Sequence, residues 1–187
     1  MGEPQGALYV ADGDAWVPSE LTRGPWDPGA QHGGAVAALV VRELERVEAP
    51  VPTRLARLTL ELLRPVPLEP LLLDAQVVRP GARVGLLEAE LRRAEDGERL
   101  ALARALRIRT DEVDFPDPGD AEVPELPPRA DAPQATLPGA PVAYHSHATE
   151  HRWPVLDFRS RGVPGVGDLI RSGAAFPGGA GTAGPRA

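Results

Sequence analysis

The strongest constraint on this chain is its one convincing helix and the way that helix begins. Trp26-Asp27-Pro28-Gly29-Ala30-Gln31-His32 is a polar turn that runs through Gly33-Gly34 directly into Ala35-Val36-Ala37-Ala38-Leu39-Val40-Val41. An apolar run on all sides of a helix predicts burial on every face rather than along one surface stripe. From Arg42 the pattern becomes amphipathic, with Leu44 and Val47 opposed to Glu43, Glu45, Arg46 and Glu48, and Pro50 and Pro52 end it. The helix is therefore placed at about 34–48.

The rest of the first 110 residues alternates as strands do. Leu8 to Ala11 and Ala15 to Val17 flank an Asp12-Gly13-Asp14 hairpin turn. Residues 53–64 put Ala56, Leu58, Leu60 and Leu62 on one face and Arg57, Thr59 and Glu61 on the other. Leu71 to Arg79 and Val84 to Arg93 follow, joined by Pro80-Gly81, with Leu87, Ala89 and Leu91 sharing a face. Asp96-Gly97 then turns the chain into Leu100 to Arg109, where Leu100, Leu102, Leu106 and Ile108 read as inward and Arg104 as an intruder. Two strands, a helix and four strands predict an α+β domain, an antiparallel sheet wrapped around one long buried helix.

Beyond it the pattern dissolves. Phe115 to Pro141 holds eight prolines and several acids without periodicity, so residues 113–141 read as a linker. Residues 142–153, Val142 to Trp153, have the look of a first strand of a second domain. From 154 to 187 Gly, Pro and Ala dominate, and neither alternation nor a helical stripe supports a second core; a disordered tail is expected.

Composition removes several function classes. A net charge of -7 without a basic run disfavours nucleic acid and anionic membrane surfaces, both of which reward clustered cations. The absence of cysteine excludes a disulfide framework and thiol catalysis, and agrees with a reducing cytoplasm. No signal peptide or apolar run of membrane length is present, so a soluble cytoplasmic protein is expected.

Chemistry concentrates at the helix start. Two glycines there bring unpaired backbone N–H groups into the interior with no side chain in front of them. Such donors, at the positive end of the helix, suit a carbonyl oxygen that gains negative charge in a transition state. The plainer alternative is a tight entry turn that lets the helix pack closely. His32 is either a cap or a group that orients water or binds a carbonyl, and Asp27 either closes an Asx turn or activates water. His145, His147 and His151 would fall on one face of a strand, which permits a metal site by geometry, but no obvious acid or cysteine partner is fixed nearby and no metal is expected. His32-Gly33-Gly34 also looks like the oxyanion segment of serine esterases, a reading that falls because no Gly-x-Ser-x-Gly occurs.

Several of these features together carry a resemblance. The strand pair, Trp26-Asp27-Pro28, Gln31-His32-Gly33-Gly34 opening an Ala-rich helix, Leu60-Glu61-Leu62-Leu63-Arg64-Pro65-Val66-Pro67, and the Asp96-Gly97 hairpin resemble hotdog-fold acyl-CoA thioesterases. More narrowly they are similar to the N-terminal half of double-hotdog proteins related to acyl-CoA thioesterase II, over residues 7–110. The resemblance implies a hotdog fold, hydrolysis of an acyl-CoA thioester without a cofactor, and catalytic residues among Asp27, Gln31, His32, Gly33 and Gly34. It also implies pairing with another hotdog, as a homodimer or with a second domain. Single-hotdog relatives place a carboxylate about two turns into the helix, where this chain has Val40-Val41-Arg42 and then Glu43. Double-hotdog relatives keep much of their catalytic machinery in the second half, which the tail after Trp153 does not resemble; a truncation or shifted frame is the expectation. Two further readings stay open: a non-catalytic acyl-CoA-binding remnant, and a hotdog hydratase using a His and an Asp near the helix start.

Overall fold

In a computed structural model of the chain, residues 6–112, 114, 119, 131, 134–135, 143–152 and 169–172 are described. Strands β1 (Tyr9–Asp12) and β2 (Ala15–Pro18) form a hairpin, and Gly13 at its turn has φ 58°, a left-handed conformation that glycine adopts without a Cβ penalty. Helix α1 (Gly33–Arg46) comes next, then β3 (Thr53–Leu62), β4 (Leu71–Arg79), β5 (Val84–Arg93) and β6 (Arg99–Arg109). These strands make one antiparallel sheet in the order β1-β2-β4-β5-β6-β3. At the β5–β6 turn Gly97 has φ 73°, and Asp96 Oδ1 accepts the Glu98 N–H at 2.9 Å. That backbone donor holds the Asp96 carboxyl below the ordinary carboxylate range.

The α+β class and the wrapped-helix arrangement are as the sequence predicts, but the facing of three elements differs. In β6 the buried face is Ala101, Ala103, Ala105 and Arg107, while Leu102 and Leu106 are only half-buried, Ile108 is exposed and Arg104 points to solvent. Of the residues expected inward only Leu100 is buried. These small alanines belong to the same core cluster as Leu39 and Leu44 of α1. The larger side chains pair instead across the outer face, Leu106 with Leu86 and Ile108 with Val84.

In β3 the register slips between Leu55 and Arg57, so Ala56 bulges out and is exposed rather than inward. The bulge reconciles Leu55, which packs on the core, with Leu58 and Leu60, which follow it out of phase. Leu62 lies half-exposed at the far end of this edge strand. In α1 full burial is confined to Ala35, Val36, Leu39, Val40 and Leu44, one stripe at i, i+3, i+4 spacing; Ala37, Ala38 and Val41 are only partly covered. Arg42 on that partly covered side lies 4.5 Å over the Trp16 ring of β2.

A second sheet joins β7 (Gln134–Ala135), β8 (Thr149–Arg152) and β9 (Leu169–Ser172) in antiparallel order. The stretch 142–153 is not one strand from its start: Tyr144–Ala148 forms a π-helical turn before β8 begins. His145 and His147 thus sit on a turn and His151 on a strand, and the shared strand face expected for them is not formed. Most of the linker 113–141 and of the tail 154–187 lies outside the described residues.

Candidate active site at the helix start

The segment before α1 is fastened from three sides. Gly24 N donates to Ala30 O (2.8 Å), Gln31 N to Val66 O (2.8 Å) and His32 N to Thr22 O (2.7 Å). Asp27 Oδ1 accepts the Gly29 N–H at 2.8 Å, which is an Asx turn, and Asp27 is exposed. Arg23 donates to the Pro28 carbonyl and pairs with Glu20. Asp27 therefore spends a carboxylate oxygen on shaping the turn.

Gln31 is buried and held at both ends of its amide. Its Oε1 accepts from the Tyr9 hydroxyl at 2.5 Å and its Nε2 donates to Pro67 O at 2.6 Å. Tyr9 is fully buried in β1, and burial first, with Tyr144 nearby second, pushes its phenol far above the ordinary range. Tyr9 thus stays protonated and donates.

His32 is the N-cap of α1. Its Nδ1 accepts the Gly34 N–H at 2.9 Å, satisfying one of the donors that every helix start leaves over. Burial, and then the nearby His145, lower its pKa below the usual 6.5, so the ring is neutral at pH 7. With Nδ1 occupied as an acceptor, the proton of the neutral ring resides on Nε2. His32 is consequently a donor on its free side.

The two glycines divide their roles. Gly34 gives its N–H to His32, and a Cβ built there would sit 2.9 Å from both His32 Nδ1 and Tyr144 Cε1, so the position is glycine for packing. Gly33 is the first helical residue, its N–H has no hydrogen-bond partner among the described residues, and a Cβ there would meet Leu62 Cδ1 at an ordinary 3.6 Å. Among the described residues, the donor left free at the helix start is the Gly33 N–H.

A wall of this site comes from the turn after the Pro-rich stretch. Tyr144 N donates to Arg23 O at 3.0 Å, and its ring stacks on His32 with centroids 4.9 Å apart and an interplanar angle of 19°. The His145 ring lies 6.2 Å from that of His32. Tyr9 and Tyr144 were not legible as site residues, and His145 was weighed only as a metal ligand, because only the fold brings positions 9, 32 and 144–145 together; a buried tyrosine in a strand carries no signal of its own. Glu43, deeper in the helix, pairs with Arg42 and forms no part of this arrangement.

Comparison with known proteins bears on the fold. Residues 22–108 match the acyl-CoA thioesterase N-terminal domain family. Over that segment the chain is similar to this thioesterase family, and its antiparallel sheet wrapped on one helix is the hotdog fold. Two solved structures share the domain's fold. A conserved protein of unknown function with hot dog fold from Alicyclobacillus acidocaldarius is 20% identical, with a TM-score of 0.57, over 78% of this chain and 52% of that one. A candidate thioesterase II from Thermobifida fusca YX is 14% identical, with a TM-score of 0.54, over 78% and 53%. The chain carrying the hotdog domain thus spans about half the length of these structures. No curated protein sequence is significantly similar to it. Among the described residues no helix of the domain is long and apolar enough to cross a membrane.

Proposed function

We propose that this hotdog domain hydrolyses the thioester of an acyl-coenzyme A, in the cytoplasm and without a cofactor. The observation that carries the reading is the pair of donors at the start of α1: the Gly33 N–H, unpartnered among the described residues, and, one residue before it, the Nε2–H of a neutral His32 that caps the helix. A thioester carbonyl oxygen seated there accepts from both. As water adds to the carbonyl carbon, negative charge grows on that oxygen at the positive end of the helix, where fixed dipoles stabilise it without reorganising. Gln31, clamped between Tyr9 and Pro67, and Asp27, closing the turn, hold the backbone that aims these donors. The match of residues 22–108 to the thioesterase family supports the same chemistry.

A second hotdog is proposed to pair along β3. That strand is ten residues long and lies at the edge of the sheet, and its end at Leu62 and Leu63, about half exposed, adjoins Gly33. A long uncovered edge is a template for another strand. A partner there, a second copy or a further domain, would stand beside the helix start.

The test is release of coenzyme A from saturated acyl-CoAs of graded chain length, followed with a thiol-reactive dye, which the cysteine-free chain does not itself consume. Hydrolysis that saturates with substrate and falls about 10²–10³-fold in kcat in His32→Ala supports the reading. Saturable binding without turnover would favour the non-catalytic acyl-CoA-binding reading. Hydration of an enoyl-CoA in place of hydrolysis would favour a hydratase.

A further inference from the structure

Hydrolysis also needs a group that takes a proton from water, and the groups already placed at the helix start are poorly suited to it. His32 has committed Nδ1 to the Gly34 N–H and carries hydrogen on Nε2. Asp27 is exposed and its Oδ1 is engaged by Gly29 N–H. Tyr9 is a buried donor to Gln31. Glu43 is paired with Arg42.

Resting on the thioesterase reading, we propose that His145 is the general base of this site. The argument is one of placement. The His145 and His32 rings are neighbours, with centroids 6.2 Å apart and planes tilted by 34°, a spacing at which a water molecule can lie against both imidazoles. A water between them lies within reach of one ring while the carbonyl it attacks is held by the other and by Gly33 N–H. A general base acts at hydrogen-bond distance from the proton it removes.

His145 is also carried on a fixed piece of chain. Ala143 and Ala148 on either side of the turn are buried, Tyr144 N is bonded to Arg23 O at 3.0 Å, and Thr149 Oγ1 donates to His145 O at 2.9 Å. Tyr144, one residue before, stacks on His32 and so locks the spacing between the two rings. Tyr144 is a positioning residue in this scheme. His147, by contrast, is turned into its own loop, with Nδ1 2.8 Å from Ser146 Oγ.

The step balances without a co-reactant. A ring nitrogen of His145 takes one proton from water as the water oxygen forms a bond to the carbonyl carbon, and the carbonyl π pair moves onto the oxygen held by Gly33 and His32. When that pair returns, the carbon–sulfur bond breaks and the thiolate leaves with the bonding electrons. The proton on His145 passes to sulfur, giving a carboxylic acid, a free thiol and the starting enzyme.

The experiment is the pH dependence of kcat for acyl-CoA hydrolysis by the full chain and its variants, each checked for native circular dichroism. The titratable and charged groups around the turn are His32, Tyr9, Arg23, Tyr144 and His147, so His147→Gln serves as the control. His145→Gln is expected to lose about 10²–10⁴ in kcat with KM little changed, and to lose the decline of kcat on the acid side that a proton-accepting imidazole imposes. In His145→Ala, added imidazole is expected to restore part of the rate, a response that a merely structural histidine does not give. A His145→Gln enzyme with wild-type kcat and an unaltered acid limb overturns the assignment while leaving the thioesterase reading intact. A wild-type chain that hydrolyses none of the acyl-CoAs removes both.

Discussion

Replacing Arg107 by methionine should destabilise the domain by at most about 2 kcal/mol, and the structure allows that figure to be assembled. Arg107 lies on the inner face of β6, only 5% exposed, and its Nη1 donates to Val47 O (3.2 Å) and Glu48 O (3.1 Å) just past the end of α1. A cation at a helix C-terminus meets the negative end of the dipole and satisfies carbonyls that the helix leaves over. Hydrogen bonds to a charged group contribute about 1.5–3 kcal/mol each. Both bonds here are long and share one nitrogen, so the lower end applies, roughly 3 kcal/mol for the two. Against this, Arg107 Nε is buried without a partner among the described residues, which costs about 1–3 kcal/mol. Methionine keeps most of the apolar stem, so the net loss is the small difference. Arg107→Ala adds a cavity beside Gly85, whose Cβ position is 3.0 Å from Nε, and should cost about 2–5 kcal/mol. Denaturant unfolding with unchanged slope measures both, and amide exchange should quicken in the last turn of α1 before it does in β5. A methionine variant more stable than wild type would refute the reasoning, since the guanidinium would then cost more to desolvate than its two carbonyls return.

The remaining predictions concern the helix start. Gly34→Ala forces a methyl against His32 Nδ1 and Tyr144, and should lose about 1–3 kcal/mol of stability in thermal or denaturant unfolding. Because the folded His32 pKa is below 6.5, the unfolded chain binds more protons just under that pH; the His32 contribution is full above about 6.5 and is lost as pH falls toward the folded value. His32→Asn keeps a capping side chain and should flatten that acid-side fall in stability, read from unfolding at pH 5 and 7.5, while still losing turnover. Pairing along β3 should appear as association in sedimentation at micromolar concentration, weakened by Leu63→Glu; a monomer at all concentrations would remove the edge proposal.

The order of elements was legible because each carries its own period: the glycine-led apolar helix, the alternating strands and the Asp96-Gly97 turn all speak locally. The facing of β6 was not. Leu100, Ala101, Leu102, Ala103, Ala105 and Leu106 are apolar on both sides, so alternation gave no parity, and size suggested the leucine face when the helix required the alanine one. Arg107, which looks like a solvent residue, is inward because the helix end supplies it with carbonyls, a partner that no local pattern reveals. In β3 the bulge at Ala56 moved one residue outward without any glycine or proline to announce it.

At the helix start, part of the geometry follows from local sequence and part does not. Two glycines at a helix start pointed to unpaired donors, but which glycine keeps its N–H free depends on the His32 side chain folding back onto Gly34. The Asx turn at Asp27 was among the local alternatives, since an aspartate two residues before a glycine makes it by short-range geometry. Tyr9 and Tyr144 reach the site only through long-range packing, and the His145–His147 pair was read on a strand because an alternating segment gives no warning of a π-helical turn.

The central claim, that the Gly33 N–H holds the developing oxyanion, is open to a substitution that removes little else. Gly33 is the first residue of α1, the position where proline is best tolerated, and His32 before it is already extended at φ -71° and ψ 134°, as a residue preceding proline must be. Gly33→Pro deletes the donor while leaving the helix start, the His32 cap and the Leu62 contact in place. The account predicts native circular dichroism and melting temperature with kcat for acyl-CoA hydrolysis reduced about 10²–10³-fold. A folded Gly33→Pro protein that turns over acyl-CoA at the wild-type rate would contradict it.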